Sequence, residues 1–319
     1  MATLSEYESC VQNQTWTLVP RPHNRKCRWV FVRKRDETGS IVCFKTRLVM
    51  KGFQQKYGID YTEIFSPVVR MEVLRLLLTL AAIIDYEIEQ MDVKTAFLNG
   101  SLDVEIFMEQ PEGFASKDKP GSVCRLRKSL YTLKQAPKVW YHTFVKYLER
   151  LGFSCLVKDR CVFFKVIFNA PCYISVYVDD LLIISPSKQV IARVKSSLRS
   201  EFHMADLGGV SYFLETRANR SIFIHQRNYA SKVLDRFSMI DSHPKSTPIA
   251  QKLSANNCPK DDEATAHMAN MPYREAVGSF MYLMTGTRPD LAYFIREVSQ
   301  YLDNPGQRTG MQSNMACTT

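Results

Sequence analysis

Two adjacent carboxylates, Asp179 and Asp180, interrupt an apolar run that begins at Tyr173 and ends at Ser185. The β-branched, aromatic and leucine side chains on either side read as strand, tight turn, strand, with the acidic pair at the tip. Two full negative charges about 4 Å apart repel by roughly 4 kcal/mol at an effective dielectric of 20. Either water screens them, or a cation sits there, or one of them holds a proton. Taken alone, the pair fits a solvated hairpin tip as well as a binding site, because aspartate is common in turns. A third carboxylate, Asp92, ends another short strand just before a tight loop. If that strand pairs beside residues 173–178, three carboxylates meet at neighbouring strand ends and offer hard oxygen ligands to magnesium. Two such ions about 3.5–4 Å apart can clamp the attacking and leaving oxygens of a phosphoryl transfer.

The elements that must position these groups are legible from periodicity. Residues 86–91 alternate apolar and acidic as a strand that stops at Asp92. The Asn99-Gly100 pair is a strong turn signal, and residues 104–108 read as a returning strand. Strands at 161–168 and 172–178 flank a turn at Asn169-Ala170-Pro171. Residues 71–84 read as a largely buried helix. A second helix, 137–151, places Trp140, Phe144, Tyr147, Leu148 and Leu151 on one stripe, with Pro137 in its first turn and Gly152 beyond its end. A third, 188–202, places Val190, Ile191, Val194, Leu198 and Phe202 on one face. Several strand connections are too short for parallel crossovers. The fold class predicted is therefore α+β, an antiparallel sheet with helices on one face.

Ahead of these elements, strands at 28–35 and 41–50 flank turn residues 36–40. This hairpin carries Arg28, Arg33, Lys34, Arg35, Lys45, Arg47 and Lys51, interleaved with Trp29, Phe31 and Phe44. It reads either as a half-buried hairpin with a solvated basic face or as a contact surface for nucleic acid or a triphosphate. Beyond the core, residues 212–216 and 221–225 suggest a small hairpin and 229–237 a short helix. A Pro-, Ser- and Asn-rich linker at 243–262 follows, then helices at about 273–285 and 290–302. The tail from 306 has no periodicity and is expected to be disordered.

The whole chain of 319 residues is 45% hydrophobic, with a net charge of +10 and a pI near 9.1. That excess predicts a polyanionic partner, nucleic acid ahead of an anionic membrane. Nine cysteines without a C-x-x-C pair argue against a disulfide framework or a zinc site. The N-terminus is polar, without an apolar signal segment. No apolar run is long enough to span a bilayer, so no membrane partner is expected.

Many short runs, in order, resemble the reverse transcriptase of copia-type LTR retrotransposons. They include Trp16-Thr17-Leu18-Val19-Pro20, Lys45-Thr46-Arg47-Leu48-Val49, and Gly58-Ile59-Asp60-Tyr61 leading to Phe65-Ser66-Pro67-Val68-Val69. The longest is Gln90-Met91-Asp92-Val93-Lys94-Thr95-Ala96-Phe97-Leu98-Asn99-Gly100. Leu133-Lys134-Gln135-Ala136-Pro137, Tyr177-Val178-Asp179-Asp180-Leu181-Leu182, Asp206-Leu207-Gly208 and Thr287-Arg288-Pro289-Asp290 follow. The resemblance runs from about Trp16 to Pro305.

It implies a right-hand polymerase with fingers, an antiparallel-sheet palm packed on helices, and a partial helical thumb or connection. The expected organisation is an N-terminal flank (1–15), the reverse transcriptase domain (16–242), the linker (243–262), a helical segment (263–305) and a divergent tail (306–319). Asp92, Asp179 and Asp180 match the metal-binding aspartates, for two magnesium ions or manganese in their place. Phe97 matches the aromatic gate that crowds a 2′-hydroxyl, and Gln135 the glutamine near the incoming nucleotide. Lys45 and Arg47 lie in the segment that faces the triphosphate. Arg28, Arg33, Lys34 and Lys51 are the nucleic-acid contacts expected on the basic hairpin. The implied function is RNA-directed DNA polymerisation on an RNA or DNA template with a primer, using dNTPs. The implied location is cytoplasmic, in the parent element's virus-like particle, or nuclear. Integrase and ribonuclease H domains are expected in the parent polyprotein and not in this stretch, which reads as an isolated or truncated piece.

Two residues depart from the family pattern. Thr132 stands where glycine is usual, and Glu215 stands where glycine follows Phe213-Leu214 in the hairpin expected to hold the primer. A Cβ at the first and a negative charge at the second motivate an alternative: an inactive or domesticated remnant that binds nucleic acid without polymerising.

Overall fold

The computed structural model describes residues 2–20, 27–35, 40–209, 214–215, 222–243, 246–249, 253–254, 256, 258–260, 262–269 and 271–306. The chain divides into two compact units, Met1–Val210 and Ser211–Thr319.

The first unit is built on a six-stranded, wholly antiparallel sheet. Its order is Met204–Gly209, Glu87–Val93, Asp180–Ser185, Ala170–Tyr177, Val162–Ile167 and Ser154–Cys155. Alternation does the sorting. Met91, Val93, Leu181, Ile183, Cys172, Ile174 and Val176 point to one face and are buried there. Helices Ala136–Arg150 and Lys188–Glu201 cover that face with the predicted stripes, Trp140, Phe144, Tyr147 and Leu148 from one and Val190, Ile191, Val194 and Leu198 from the other. Phe202 sits between them, its ring 5.3 Å from Trp140 and 5.2 Å from Tyr147. The caps follow from residue type. Pro137 occupies the first turn of Ala136–Arg150, Gly152 adopts φ 81° just past its end, and the Ser187 hydroxyl accepts the Val190 N–H.

Two expectations change, and one strand is unforeseen. The Asn99-Gly100 turn does not return a strand onto Glu87–Val93. Ala96–Asn99 is a 3₁₀ turn, and the strand at Phe107–Met108 pairs with Val123–Leu126, which also pairs with Trp16–Val19. Gly100 is needed for packing: a Cβ there would stand 2.4 Å from a Val139 methyl. The vacant edge of Glu87–Val93 is taken by Met204–Gly209, whose glycine-rich Ala-Asp-Leu-Gly-Gly gives no strand pattern. The helix Met71–Ile83 is one-sided, with Leu77, Leu78, Ala81 and Ala82 buried and Leu76, Leu80 and Ile83 exposed.

The basic hairpin forms as Cys27–Arg35 paired with Ile41–Met50; its turn, 36–39, lies outside the described residues. Residues 1–15, expected as a flank, contain the helix Ala2–Gln12. It is unseen in the sequence because it buries only Glu6 and Cys10 and so shows no apolar stripe.

In the second unit, helices Arg227–Arg236, Tyr273–Gly286 and Ala292–Ser299 close around Val233, Val277, Phe280, Phe294 and Val298. Helix Asp262–Ala269 begins at the end of the predicted linker. Of the small hairpin only the pairing of Leu214–Glu215 with Phe223–Ile224 is described, and the Glu215 side chain and residues 307–319 lie outside the described residues. No helix among the described residues is long and apolar enough to cross a membrane.

Candidate active site

Strand register brings the acids together. Asp180 stands directly opposite Asp92 in the antiparallel pairing of Asp180–Ser185 with Glu87–Val93. Opposed residues share a face, with Cα atoms about 4.5–5.5 Å apart. Asp179 sits in the two-residue loop between Ala170–Tyr177 and Asp180–Ser185, and its carbonyl accepts the Val93 N–H at 2.8 Å. The loop's first residue, Val178, has φ 59°, a conformation that suits glycine and strains a β-branched side chain. The Trp140 indole N–H, reaching from the helix behind, donates to the Val178 carbonyl at 2.6 Å and holds that turn. The strain is supported by the core rather than relieved.

All three acids are half-buried. Burial pushes the Asp180 carboxyl above its ordinary value of 3.8, and the charges of Asp179 and Asp92 push the same way; a hydrogen bond from the Gln90 amide, 3.1 Å to Oδ1, partly offsets this. Gln90 was not singled out from sequence, although it lies two residues before Asp92 and so shares its face. Among the described residues no lysine or arginine forms an ion pair with Asp179 or Asp180. Three hard carboxylates at adjoining strand positions suit a divalent cation by donor chemistry. Among the described residues, however, no three acid, histidine or cysteine side chains are grouped so that they could hold a metal ion.

Asp92 and Asp179 open onto a cleft of about 1080 Å³ whose lining includes Lys45, Arg47, Arg28 and Phe97. Arg47 rests its guanidinium over the Tyr131 ring, 5.3 Å to the centroid, and its Nε is buried without a hydrogen-bond partner. Phe97 packs edge-on against the same Tyr131 ring at 5.6 Å. Thr132 also lines this cleft. Its φ is 70°, and its hydroxyl donates to the Met50 carbonyl, so the loop clasps the end of Ile41–Met50.

Gln135 does not line this cleft. It borders a separate groove of about 1060 Å³, and its amide is engaged: Oε1 accepts from Gln55 and Nε2 donates to the Asp60 carbonyl, each at 2.9 Å. Arg33 borders a smaller hollow beside Phe31 and Phe44. Lys51 is half-buried just past the end of Ile41–Met50, and the Lys34 side chain lies outside the described residues.

Residues 13–251 match the family described as reverse transcriptase (RNA-dependent DNA polymerase). The chain is 46% identical, over 96% of its length, to the retrovirus-related Pol polyprotein from transposon TNT 1-94 of Nicotiana tabacum, and covers 24% of that protein. It is 38% identical over 94% of its length to the corresponding polyprotein from transposon RE1 of Arabidopsis thaliana, covering 21% of it. A putative transposon Ty5-1 protein of Saccharomyces cerevisiae is 32% identical over 67% of this chain and 70% of its own length. The chain thus spans less than a quarter of the plant Pol polyproteins it matches. On the match over 13–251 and on these relatives, the chain belongs to the reverse transcriptase (RNA-dependent DNA polymerase) family of copia-type transposon Pol polyproteins.

Proposed function

We propose that this chain carries out RNA-directed DNA synthesis, joining a deoxynucleotide from its triphosphate to a primer 3′-hydroxyl. The observation that carries the reading is the register that sets Asp180 against Asp92, with Asp179 in the adjoining turn and Lys45, Arg47 and Phe97 around the cleft. Asp92, Asp179 and Asp180 are the ligands offered to magnesium or manganese. Bound there, such ions supply positive charge to the triphosphate and acidify the primer hydroxyl. Lys45 and Arg47 meet phosphate oxygens, and Arg47 is held in place by stacking on Tyr131. The Phe97 ring crowds the sugar's 2′ position and so selects deoxynucleotides. Arg28, Arg33 and Lys51 contact template phosphates, which carry no sequence information, so base pairing reads the template. In right-hand terms the six-stranded sheet is the palm, the basic hairpin the fingers, and the second unit the start of the thumb.

A second reading, binding without extension, draws on Thr132. A threonine at φ 70° takes on strain that glycine would not, at the wall of the nucleotide cleft. Primer extension on an RNA template with dNTPs and magnesium separates the two. Extension abolished by Asp179→Asn supports polymerisation. Salt-sensitive primer–template binding without extension supports the remnant, and Thr132→Gly should then restore synthesis.

A further inference from the structure

The N-terminal helix Ala2–Gln12 forms one wall of the nucleotide cleft. Glu8 on this helix faces solvent, whereas Glu6 is only 9% exposed. Burying a carboxylate is costly unless it is hydrogen-bonded. Glu6 Oε1 accepts the Leu48 N–H at 3.2 Å. Leu48 belongs to Ile41–Met50, the strand that presents Lys45 and Arg47 to the cleft. Burial pushes the Glu6 carboxyl up, while the Leu48 amide and the charges of Lys45 and Arg47 pull it down. Burial outweighs the others, so the Glu6 carboxyl stands above its ordinary 4.5; its oxygen is fixed to the backbone beside Arg47, behind the two cations assigned to the triphosphate.

We infer that Glu6 is a positioning residue of the nucleotide cleft: it pins the Leu48 amide, which holds the strand bearing Lys45 and Arg47, and its charge tempers the pull of those cations on a triphosphate. This rests on the polymerase reading above. The two roles have opposite signs, which a merely structural residue would not show. Glu6→Gln keeps an oxygen for Leu48 and removes the charge, so the KM for dNTP should fall about threefold. Glu6→Ala removes the oxygen as well and frees the strand, so KM should rise about tenfold, or about 1.4 kcal/mol. In both variants kcat should stay within about twofold, since no reacting group is touched.

The test uses the full chain on an RNA template with a DNA primer and magnesium. Alongside the kinetics, the Kd of a fluorescent non-hydrolysable dNTP is measured on a dideoxy-terminated primer–template. Opposite shifts in the two variants support the inference. Shifts of the same sign, or no shift, in a wild-type chain that extends primers overturn the role of Glu6 alone. A wild-type chain that binds the triphosphate without extending overturns the polymerase reading, and the Kd comparison then judges Glu6 by the same signs. A chain that does neither overturns both. Should Glu6→Ala lose its cooperative thermal transition, Glu6→Asp replaces it; retracting the carboxylate while keeping its charge should raise KM roughly threefold.

Discussion

The strand Glu87–Val93 carries acid on both faces, and its surroundings treat the two differently. On the helix-covered face, Glu89 and the neighbouring strand's Asp206 share the Lys195 ammonium, 2.5 Å from Asp206, and Arg199 adds a second bond to Asp206 at 2.6 Å. Lys195 is buried, its side chain 5% exposed. On the other face, Asp92 and Asp180 oppose each other with Asp179 beside them, and the nearest help to Asp180 is a neutral amide. The carboxyl shifts follow. Burial alone would raise Asp206, but the Lys195 and Gly208 hydrogen bonds and the charges of Lys195 and Arg199 together bring it below 3.8, whereas Asp180 stands above 3.8. The first cluster has a buried lysine built into it, whereas among the described residues Asp179 and Asp180 form no ion pair with a lysine or arginine. Acid content alone therefore does not distinguish the two clusters; the location of the lysine does.

The largest expected effect breaks the second cluster's function. Asp92→Asn or Asp179→Asn should reduce primer extension by about three orders of magnitude, the scale of about 4 kcal/mol of transition-state stabilisation, with the thermal transition unimpaired. Extension within tenfold of wild type would remove these acids from the reaction. Next in size is the structural cluster. Lys195→Met should cost roughly 2 kcal/mol in urea unfolding, below the 3–5 of a fully buried pair because Glu89 and Asp206 keep part of their solvent, and should leave extension per folded molecule unchanged. A smaller effect runs the other way. Asp180→Asn keeps an oxygen for Gln90 and removes a repulsion, so it should stabilise the metal-free fold by under about 1 kcal/mol while abolishing extension.

The finest test is the sign of the pH response. Asp206, with its folded value below the unfolded one, contributes stability that is present above about pH 3.8 and lost as pH falls through its lowered value. Asp180, with its folded value above, contributes stability that is present below pH 3.8 and lost as pH rises through its raised value. Unfolding free energies of Asp206→Asn and Asp180→Asn, compared with wild type across acid pH, should therefore differ with opposite slopes.

The acidic hairpin is legible in the sequence because two β-branched, aromatic and leucine-rich runs flank the acids, although the turn falls on Val178 and Asp179, and Asp180 begins the returning strand. Its partner register is not, for local reasons. Asn99-Gly100 has the chemistry of a hairpin turn, yet the glycine serves the close approach of Val139. Met204–Gly209 takes the sheet edge without a strand's residue pattern. Glu6 is hidden because a helix that buries one carboxylate and one thiol looks solvent-exposed throughout. Gln135, prominent as part of a motif, has its amide committed to Gln55 and Asp60. In each case a long-range contact outweighs a local preference, and a local pattern cannot report it.

The sheet order also fixes when the acids can meet. Both neighbours of Glu87–Val93, the strands Asp180–Ser185 and Met204–Gly209, lie far downstream in the chain. During synthesis the segment bearing Asp92 emerges long before either, and its two hydrogen-bonding edges wait on chain not yet made. Such distant pairings form late because loop closure must come first. A nascent chain that has not reached Ser185 already contains Asp92, but not the complete strand that sets Asp180 opposite it. Assembly of the acidic cluster thus waits on the strand Asp180–Ser185, late in the first unit, and a chain released before it keeps Asp92 without its partners.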